Sequence, residues 1–293
     1  MFFDTQQSAS FVTQLGSSRY PVDCVDIALL HTERMTCGGV GNKAFKLSSL
    51  LADVGPDDRV MSFGGAWSNH LHALAYLCHR QGVASVGVIR AGEPTDNLLQ
   101  RSMRRYGMQL HHVSREEYRR RDDADYCQSL CRQLGCTMWL PEGGSDNAAV
   151  EGCRNLGSII QSLDYQPTVV VLPVGTGATM AGVINAVDAD TRVIGLPVVR
   201  DDKVKANIDR WIGASAGSCT LTAPLRPGYG KVDRALLEFI VDFHSQTQIV
   251  LDPVYTGKAL MHCFSSEFRA RLPAVSRVLF LHTGGLMGNF GYL

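Results

Sequence analysis

The sequence has no excess of charge of either sign. Lys and Arg together number 28, Asp and Glu also number 28, and the formal net charge at pH 7 is zero. Proteins that bind nucleic acid or anionic membranes concentrate positive charge, so neither partner is expected. No run of 18 apolar residues is present, which argues against a transmembrane helix. The first ten residues lack the basic and apolar regions of a signal peptide, so we expect a cytoplasmic protein.

The sequence also lacks the cysteine patterns of a disulfide framework or a zinc site. Its nine cysteines are odd in number and irregularly spaced, and no two form a Cys-x-x-Cys pair. Cys127, Cys131 and Cys136 are close enough in sequence for a metal site to be considered, but zinc sites usually carry two Cys-x-x-Cys pairs. We therefore expect reduced thiols and no metal.

Apolar, β-rich runs alternate with helical patterns, without repeats or a Pro/Ser-rich linker. Because most of these runs are continuously apolar, they are typical of strands buried on both faces, and the alternation predicts an α/β fold with open parallel sheets flanked by helices. The mixed charges from Arg115 to Asp125 indicate a solvated helix face. The predicted strands are Asp26–Leu30, Arg59–Phe63, Ser85–Arg90, Gln109–Val113, Met138–Leu140, Thr168–Pro173, Arg192–Pro197 and Arg277–His282. The predicted helices are Lys43–Val54, His70–Gln81, Thr95–Tyr106, Glu116–Leu134, Asn147–Leu163, Thr179–Val187, Lys231–Ser245 and Gly257–Phe268.

A lysine follows the first of three glycine-rich turns. In Gly38-Gly39-Val40-Gly41-Asn42-Lys43, the lysine opens an amphipathic helix. A lysine amine attacks a carbonyl only when neutral, and burial, a nearby cation and a helix N-terminus all disfavour the charged form. Lys43 is therefore a candidate nucleophile, although taken alone it could be a surface lysine after a turn. Lys46, three residues on, could be the solvent-facing member of the pair.

The second turn leads into Ser68 and Asn69. The segment Val60–Gly65 predicts a strand running into a turn, and either Ser68 or Asn69 would then cap the helix that starts near His70. The two glycines ahead of this pair allow a ligand to approach the backbone closely. His70 and His72 would point to different helix faces, so a metal pair is not expected.

The third turn is Gly175-Thr176-Gly177-Ala178-Thr179, which follows an apolar strand. Backbone N–H groups and hydroxyls in such a turn favour a phosphate dianion. No Gly-Lys-Ser/Thr follows, and Met180 stands where the dinucleotide fingerprint requires its third glycine. The turn therefore predicts a phosphate site that is neither a Walker loop nor a dinucleotide-binding fingerprint.

Two tyrosines later in the chain, Tyr229 and Tyr255, have Gly or Pro nearby, which suggests loop positions. Either could instead be a buried aromatic residue with a satisfied hydroxyl. A reactive amine, a hydroxyl–amide pair and a phosphate cradle are together what a protein needs to hold pyridoxal 5′-phosphate (PLP).

The combined motifs resemble those of the fold-type II PLP enzymes, which share the tryptophan synthase β-like fold. The resemblance runs from about Gly38 to Gly285 and is to the branch that contains D-cysteine desulfhydrase and 1-aminocyclopropane-1-carboxylate (ACC) deaminase. It implies that Lys43 carries the cofactor, that Ser68 faces the substrate and that Asn69 contacts the cofactor's 3′-oxygen. It further implies a phosphate loop at Gly175, Thr176, Gly177, Ala178 and Thr179, and active-site roles for Tyr229 and Tyr255.

Two positions separate the branches of this family. ACC deaminases carry Glu directly after the second tyrosine and Leu in a C-terminal His-Leu-Gly-Gly, whereas this chain has Thr256 and Thr283, as the desulfhydrases do. A carboxylate at the pyridine nitrogen keeps it protonated and makes the ring a strong electron sink. A threonine leaves that nitrogen hydrogen-bonded but without a carboxylate, which suffices for β-elimination of a thiolate.

The chain departs from the family pattern in two places. His31–Met35 replaces a Lys-Arg-Asp-Asp-like stretch, and Ala66-Trp67 stands where relatives often carry Ile-Gln. The Trp67 indole would narrow the substrate side of the pocket, with His70 nearby. These differences leave the cofactor prediction intact and put the substrate in doubt.

The predicted protein is a two-domain enzyme with PLP in the cleft between its domains. Residues 1–43 and 146–293 would form the larger, PLP-binding domain, and residues 44–145 the smaller one. The resemblance implies a homodimer and a small amino-acid substrate, foremost D-cysteine, converted to pyruvate, hydrogen sulfide and ammonia. The alternatives are an ACC deaminase, a lyase for another amino acid, or a catalytically silent protein that binds a phosphorylated ligand.

Overall fold

The computed structural model describes residues 8–15, 25–90, 96–213, 218–273 and 275–292, and these residues form two sheets. The larger sheet has the spatial order β1 (Val12–Gln14), β2 (Val25–His31), β10 (Ser276–His282), β7 (Val169–Val174), β8 (Arg192–Pro197) and β9 (Cys219–Leu221). All neighbours in it are parallel except β1, which runs antiparallel to β2. The smaller sheet is parallel throughout, in the order β5 (Gln109–Val113), β4 (Ala84–Arg90), β3 (Arg59–Gly65) and β6 (Met138–Leu140).

Helices connect the parallel strands, as crossover connections require. The described helices are α1 (Thr32–Met35), α2 (Asn42–Leu50), α3 (Asn69–Gln81), α4 (Leu98–Arg105), α5 (Arg115–Arg119), α6 (Ala124–Gln133), α7 (Asn147–Gln161), α8 (Ala178–Ile184), α9 (Lys203–Trp211), α10 (Arg234–Thr247), α11 (Thr256–Cys263) and α12 (Ser266–Arg269). Short 3₁₀ segments cover Ser8–Phe11, Cys37–Gly39 and Leu286–Gly291. In the part of the chain that the structure covers, every helix is too short or too polar to cross a bilayer.

All eight predicted strands are present, with ends shifted by at most two residues. The prediction of one helix over Glu116–Leu134 is wrong, because a polar break separates α5 from α6. Ser114 and Glu117 form a capping box at the start of α5, and Asp123 caps α6 through its carboxylate. The predicted helix Gly257–Phe268 also ends early, at Cys263, and Ser265 caps the separate helix α12.

Helix α2 packs into two hydrophobic cores at once. Phe45 lies in a core of the larger sheet with Leu156 and Leu281, while Leu47 and Leu51 lie in a core of the smaller sheet. The helix therefore stands between the sheets, and its first turn is held from both sides. The exact division into residues 1–43 with 146–293 and 44–145 remains a prediction.

The eight cysteines in the described ranges are all free thiols, and Cys24 lies outside those ranges. Burial raises the pKa of the Cys127 and Cys131 thiols, which disfavours the thiolate that a metal would need. Cys131 instead donates its thiol hydrogen to the carbonyl of Cys136. Both observations agree with the expectation of reduced, structural cysteines.

Candidate active site

Lys43 is placed by a close approach between two backbone segments. Gly41 has a φ of 62°, and a Cβ there would lie 2.3 Å from the carbonyl oxygen of Thr283, so only glycine fits. Directly afterwards, the Asn42 N–H donates to that same carbonyl, and the Asn42 side-chain amide donates to Thr179 Oγ1 at 2.9 Å. The first turn of α2 is thereby tied both to the loop after β10 and to α8.

The amine of Lys43 is suited to nucleophilic chemistry. Burial, and to a smaller extent the positive charge of Lys46, lowers its pKa from the ordinary value of 10.5 to about 7. The side chain keeps some exposed surface, and its Nζ donates to Asn42 Oδ1 at 2.8 Å. A substantial fraction of this amine is therefore neutral at neutral pH, and a small molecule can reach it.

Lys46 is buried, so the expectation that it could face solvent is wrong. Its side chain is only 4% exposed, and its Nζ donates to Thr176 Oγ1 and to the carbonyl of Gly143, each at 3.0 Å. The loop after β6 encloses it, since Gly143 and Gly144 both adopt left-handed φ angles that let the chain turn over the lysine. Lys46 thus places its amine at the glycine turn after β7, where burial lowers the pKa of the amine and the charge of Asp146 acts in the opposite direction.

That glycine turn runs from Gly175 to Thr179. The left-handed Gly177, with a φ of 94°, turns the chain from β7 into α8. A Cβ at Gly175 would lie 3.4 Å from the ring of Tyr255, so the aromatic ring borders the turn. Hydroxyls of Thr176 and Thr179, the turn's backbone N–H groups and the ammonium of Lys46 together form a set of donors that suits a phosphate dianion.

Ser68 is the N-cap residue of α3, and it is one of the two residues predicted for that role. Its Oγ accepts from the Leu71 N–H at 3.2 Å, and it packs so tightly on Gly64 that a Cβ there would lie 2.4 Å from Oγ. Asn69 begins the helix and faces the loop after β10, because a Cβ at Gly285 or Gly288 would meet its Nδ2 at 3.0 or 3.3 Å. The Ser68–Asn69 pair therefore lies at the same loop that contacts the start of α2.

His70 and Trp67 occupy different environments. His70 is buried, and its Nε2 lies 2.9 Å from Ser62 Oγ, which itself donates to the carbonyl of Leu140. Burial and the charges of Lys43 and Lys46 lower the pKa of His70 to about 3, so the ring is neutral. Trp67 is 39% exposed, and the backbone of Gly291 lies against its indole.

Tyr229 and Tyr255 meet beside the glycine turn. The Tyr255 hydroxyl donates to the Tyr229 oxygen at 3.4 Å, and the rings pack edge to face with centroids 6.1 Å apart. Burial and the neighbouring Tyr229 raise the pKa of Tyr255, so it stays protonated. Tyr229 is 56% exposed in a loop, as expected, whereas Tyr255 is largely enclosed where α11 begins.

The Thr256 hydroxyl is committed to Asp252, a residue that sequence reasoning missed. Thr256 is fully buried, its Oγ1 donates to Asp252 Oδ1 at 2.7 Å, and it accepts from the Asp252 N–H at 2.8 Å. The same carboxylate accepts from the N–H groups of Val254 and Tyr255. An aspartate that accepts from backbone N–H groups two and three residues later forms an Asx turn, so a local signal was present in the sequence. Thr283, whose carbonyl oxygen makes the close approach to Gly41, is 6% exposed.

The sequence also did not predict a cluster of three titratable side chains, which lies at the segment His31–Met35 where the chain departs from the family pattern. The two oxygens of Glu33 lie 2.8 Å from Nδ1 of His31 and 2.8 Å from Nδ1 of His282. Burial alone would raise the pKa of Glu33, but the two imidazoles lower it to about 2. These side chains tie the ends of β2 and β10 together directly ahead of the lysine motif. The ligand atoms of the three side chains lie within 4.8 Å of one another, near enough to share a metal ion. The Nε2 atoms of the two imidazoles face outward from the cluster, to Thr13 Oγ1 at 3.1 Å and to the carbonyl of Val250 at 2.8 Å.

The arrangement fits PLP, judged by its donor set. A neutral amine, a cationic phosphate cradle and flanking aromatic and polar side chains converge where strands of both sheets end, which is the usual ligand position in open α/β sheets.

The chain belongs to the pyridoxal-phosphate dependent enzyme family, whose model matches residues 27–284. Its cofactor is pyridoxal 5′-phosphate, and its fold is that of the fold-type II members. A solved ACC deaminase homologue superposes with a TM-score of 0.81 at 21% identity, covering 96% of this chain and 90% of that one. In sequence, the chain is 30% identical to a putative ACC deaminase of Thermotoga maritima, with 86% of each chain covered. It is 27% identical to the D-cysteine desulfhydrase of Salmonella newport, over 86% of this chain and 84% of that one.

Proposed function

We propose that this protein is a PLP-dependent lyase of the D-cysteine desulfhydrase and ACC deaminase type, and that its substrate is D-cysteine. The reaction takes D-cysteine and water to pyruvate, hydrogen sulfide and ammonia. The relatives named above, one a putative ACC deaminase and one a D-cysteine desulfhydrase, support the class of reaction. The choice between their substrates rests on the residues around the cofactor.

The observation that carries the choice is the side chain at position 256. A threonine stands there, and its only hydroxyl proton is donated to Asp252. This position therefore offers the cofactor ring no carboxylate of its own, whereas opening a cyclopropane calls for a strongly electron-withdrawing ring. Expulsion of hydrosulfide, a good leaving group, makes a smaller demand.

In the proposed roles, Lys43 holds the cofactor and its released amine then removes the Cα proton of the substrate. A pKa of about 7 suits a general base at neutral pH. When bound, PLP supplies the electron sink that makes this proton acidic. Lys46, Thr176 and the turn from Gly175 to Thr179 would hold the phosphate, and Asn69 would contact the cofactor's 3′-oxygen.

The substrate side of the cleft is assigned to Ser68 and the tyrosine pair. Ser68 and the N–H groups at the start of α3 would bind the substrate carboxylate. The Tyr229 and Tyr255 hydroxyls, 3.4 Å apart, can position the substrate and supply a proton to the departing sulfur. Trp67 borders this region and limits the size of the side chain that enters.

The test is product identification by mass spectrometry after incubating the PLP-loaded protein with D-cysteine, L-cysteine or ACC. Pyruvate and sulfide from D-cysteine alone are expected, and Lys43→Ala should remove both turnover and the visible absorbance of the bound cofactor. Oxobutyrate from ACC would instead establish the alternative that the Thermotoga relative's name suggests. No visible absorbance after addition of PLP would favour a catalytically silent binder of a phosphorylated ligand.

A further inference from the structure

The turn that carries Tyr229 is fastened on both sides of that residue. The carbonyl of Gly228, directly before it, accepts from Lys258 Nζ at 2.9 Å. The carbonyl of Gly230, directly after it, accepts from the Tyr292 hydroxyl at 2.9 Å. Few backbone hydrogen bonds of its own stabilise such a short surface turn, so these two side chains decide where Tyr229 stands.

The Gly228 carbonyl is the base of the turn. It accepts a second hydrogen bond, from the Lys231 N–H at 3.0 Å, which closes a four-residue turn with Tyr229 in its second position. Gly230, in the third position, has a left-handed φ of 67°, which glycine adopts without strain. Both lone pairs of the Gly228 oxygen are therefore used, one within the turn and one by Lys258.

Lys258 belongs to the element that carries the other tyrosine. It lies three residues after Tyr255, within the first turn of α11, and its side chain is only 3% exposed. Burial lowers the pKa of its ammonium, while the carboxylates of Asp252 and Asp233 act in the opposite direction. Asp252 is the residue whose oxygens accept from the Tyr255 N–H, so Lys258 stands between the supports of both tyrosines.

A buried lysine is a costly way to hold a surface turn, because desolvation of an ammonium is unfavourable. Polar groups with such a cost are commonly kept where geometry matters for function. Here the outcome is the 3.4 Å contact between the Tyr255 and Tyr229 hydroxyls. The exposed Tyr229 has little other packing to fix its position.

We propose that Lys258 is a positioning residue, which ties the Tyr229 turn to α11 so that the two tyrosine hydroxyls meet at the substrate. The role rests on the proposed function, since it assumes that the tyrosine pair acts on the substrate. Tyr292 supports the same turn from the carboxyl-terminal segment. Lys258 itself touches neither the cofactor nor the substrate in this assignment.

A double-mutant cycle tests the proposal, with Lys258→Met, Tyr229→Phe and the double variant assayed on D-cysteine. Misplacement of a reacting group by about 1 Å can cost up to about 100-fold in rate, so we expect Lys258→Met to lower kcat/KM about tenfold. The cofactor absorbance should not change. If Lys258 acts through Tyr229, adding Lys258→Met to Tyr229→Phe should have less than about a twofold further effect. Losses that multiply would overturn the proposal.

A substrate-free measurement separates this proposal from the function on which it rests. Amide hydrogen exchange of the peptide spanning residues 227–231 should accelerate in Lys258→Met, and remain unchanged in Lys231→Met, which removes an exposed lysine of the same turn. Unchanged exchange in Lys258→Met would overturn the proposal whatever the substrate. If exchange is accelerated in Lys258→Met but the wild type does not turn over D-cysteine, Lys258 still holds the turn and only the proposed substrate is wrong.

A second variant covers the case in which Lys258→Met fails to fold. Tyr292→Phe removes only the hydroxyl that binds the Gly230 carbonyl, at a partly exposed position. It should accelerate exchange of the same peptide and be non-additive with Tyr229→Phe. If it is additive with Tyr229→Phe, the turn does not act through Tyr229 and the proposal fails.

Discussion

Lys46 lies one helical turn after Lys43, and its enclosed positive charge helps to lower the pKa of the Lys43 amine. The relationship follows from α2, because residues three apart share a face of a helix. Thr176 and the Gly143 carbonyl hold Lys46 in place. One side chain thus lies at the glycine turn and also helps to keep the neighbouring Lys43 amine neutral.

Lys46→Gln should shift the pH dependence of cofactor uptake. Only a neutral Lys43 attacks the aldehyde, and removal of the neighbouring charge raises the pKa of Lys43, so the midpoint should move upward from about pH 7. Burial is the larger cause of the low pKa, so the shift should be only part of the way to 10.5. The measurement is the rate of absorbance recovery when saturating PLP is added to apoprotein between pH 5 and 10. An unchanged midpoint, with the exposed Lys203→Gln as control, would contradict this account.

Lys43→Met should stabilise the apoprotein, most strongly at low pH. The pKa of Lys43 is lowered on folding, so the unfolded chain binds its proton more readily, and wild-type stability rises as pH increases from about 7 to 10.5. Below pH 7 the buried amine costs about 2–5 kcal/mol, a cost that methionine avoids. Urea unfolding at pH 6 and pH 10 should show the advantage of the variant shrinking at the higher pH. An advantage that does not change with pH would mean that side-chain packing, and not protonation, is responsible.

Thr256→Val should destabilise the protein by about 1–3 kcal/mol, because the Asp252 carboxylate loses a donor and the Asp252 N–H loses its acceptor. Thr256→Ser retains the hydroxyl and is the matched control. Urea unfolding of the holoenzyme measures both. A loss in Thr256→Ser as large as that in Thr256→Val would mean that packing at this buried position, and not the hydrogen bonds of the hydroxyl alone, sets the stability.

Gly152→Ala should cost about 2–4 kcal/mol and weaken cofactor binding. A Cβ at Gly152 on α7 would lie 2.1 Å from the carbonyl oxygen of Phe45, so α2 has to move, and Lys43 with it. Gly55→Ala is the control, since its nearest neighbour would be 4.0 Å away. Thermal unfolding and PLP titration check both effects. A wild-type affinity for PLP in a destabilised Gly152→Ala would show that α2 adjusts without displacing the lysine.

The sequence was sufficient to predict the strands, because parallel strands buried on both faces appear as short, continuous apolar runs. It missed β1 and β9, which have three residues each, and α1, which has four, because no periodicity can be recognised over such lengths. It also missed the nine-residue helix α9. The single helix predicted over Glu116–Leu134 failed because two capping signals, at Ser114 and Asp123, were not weighed against the helical pattern.

The glycine turns could be predicted from local patterns, whereas the choice of Lys43 as the cofactor lysine came from the resemblance to a known family and stays a prediction. The burial of Lys46 could not be predicted, because it depends on a loop almost a hundred residues later, at Gly143. The contact of Lys258 with Gly228 spans thirty residues and is equally invisible to local patterns. The sequence predicts which groups are present, whereas the long-range fold determines which of them meet.

Helix α2 has one consequence for how the cleft can open. Because Phe45 belongs to one hydrophobic core and Leu47 to the other, a relative movement of the two sheets cannot carry the helix wholly with either. The Lys43 amine is therefore coupled through α2 to both walls of the cleft, so a relative movement of the sheets would change its position with respect to at least one of them. A ligand entering the cleft therefore meets a lysine coupled to both sheets, while the turn bearing Tyr229 is fastened separately by Lys258 and Tyr292.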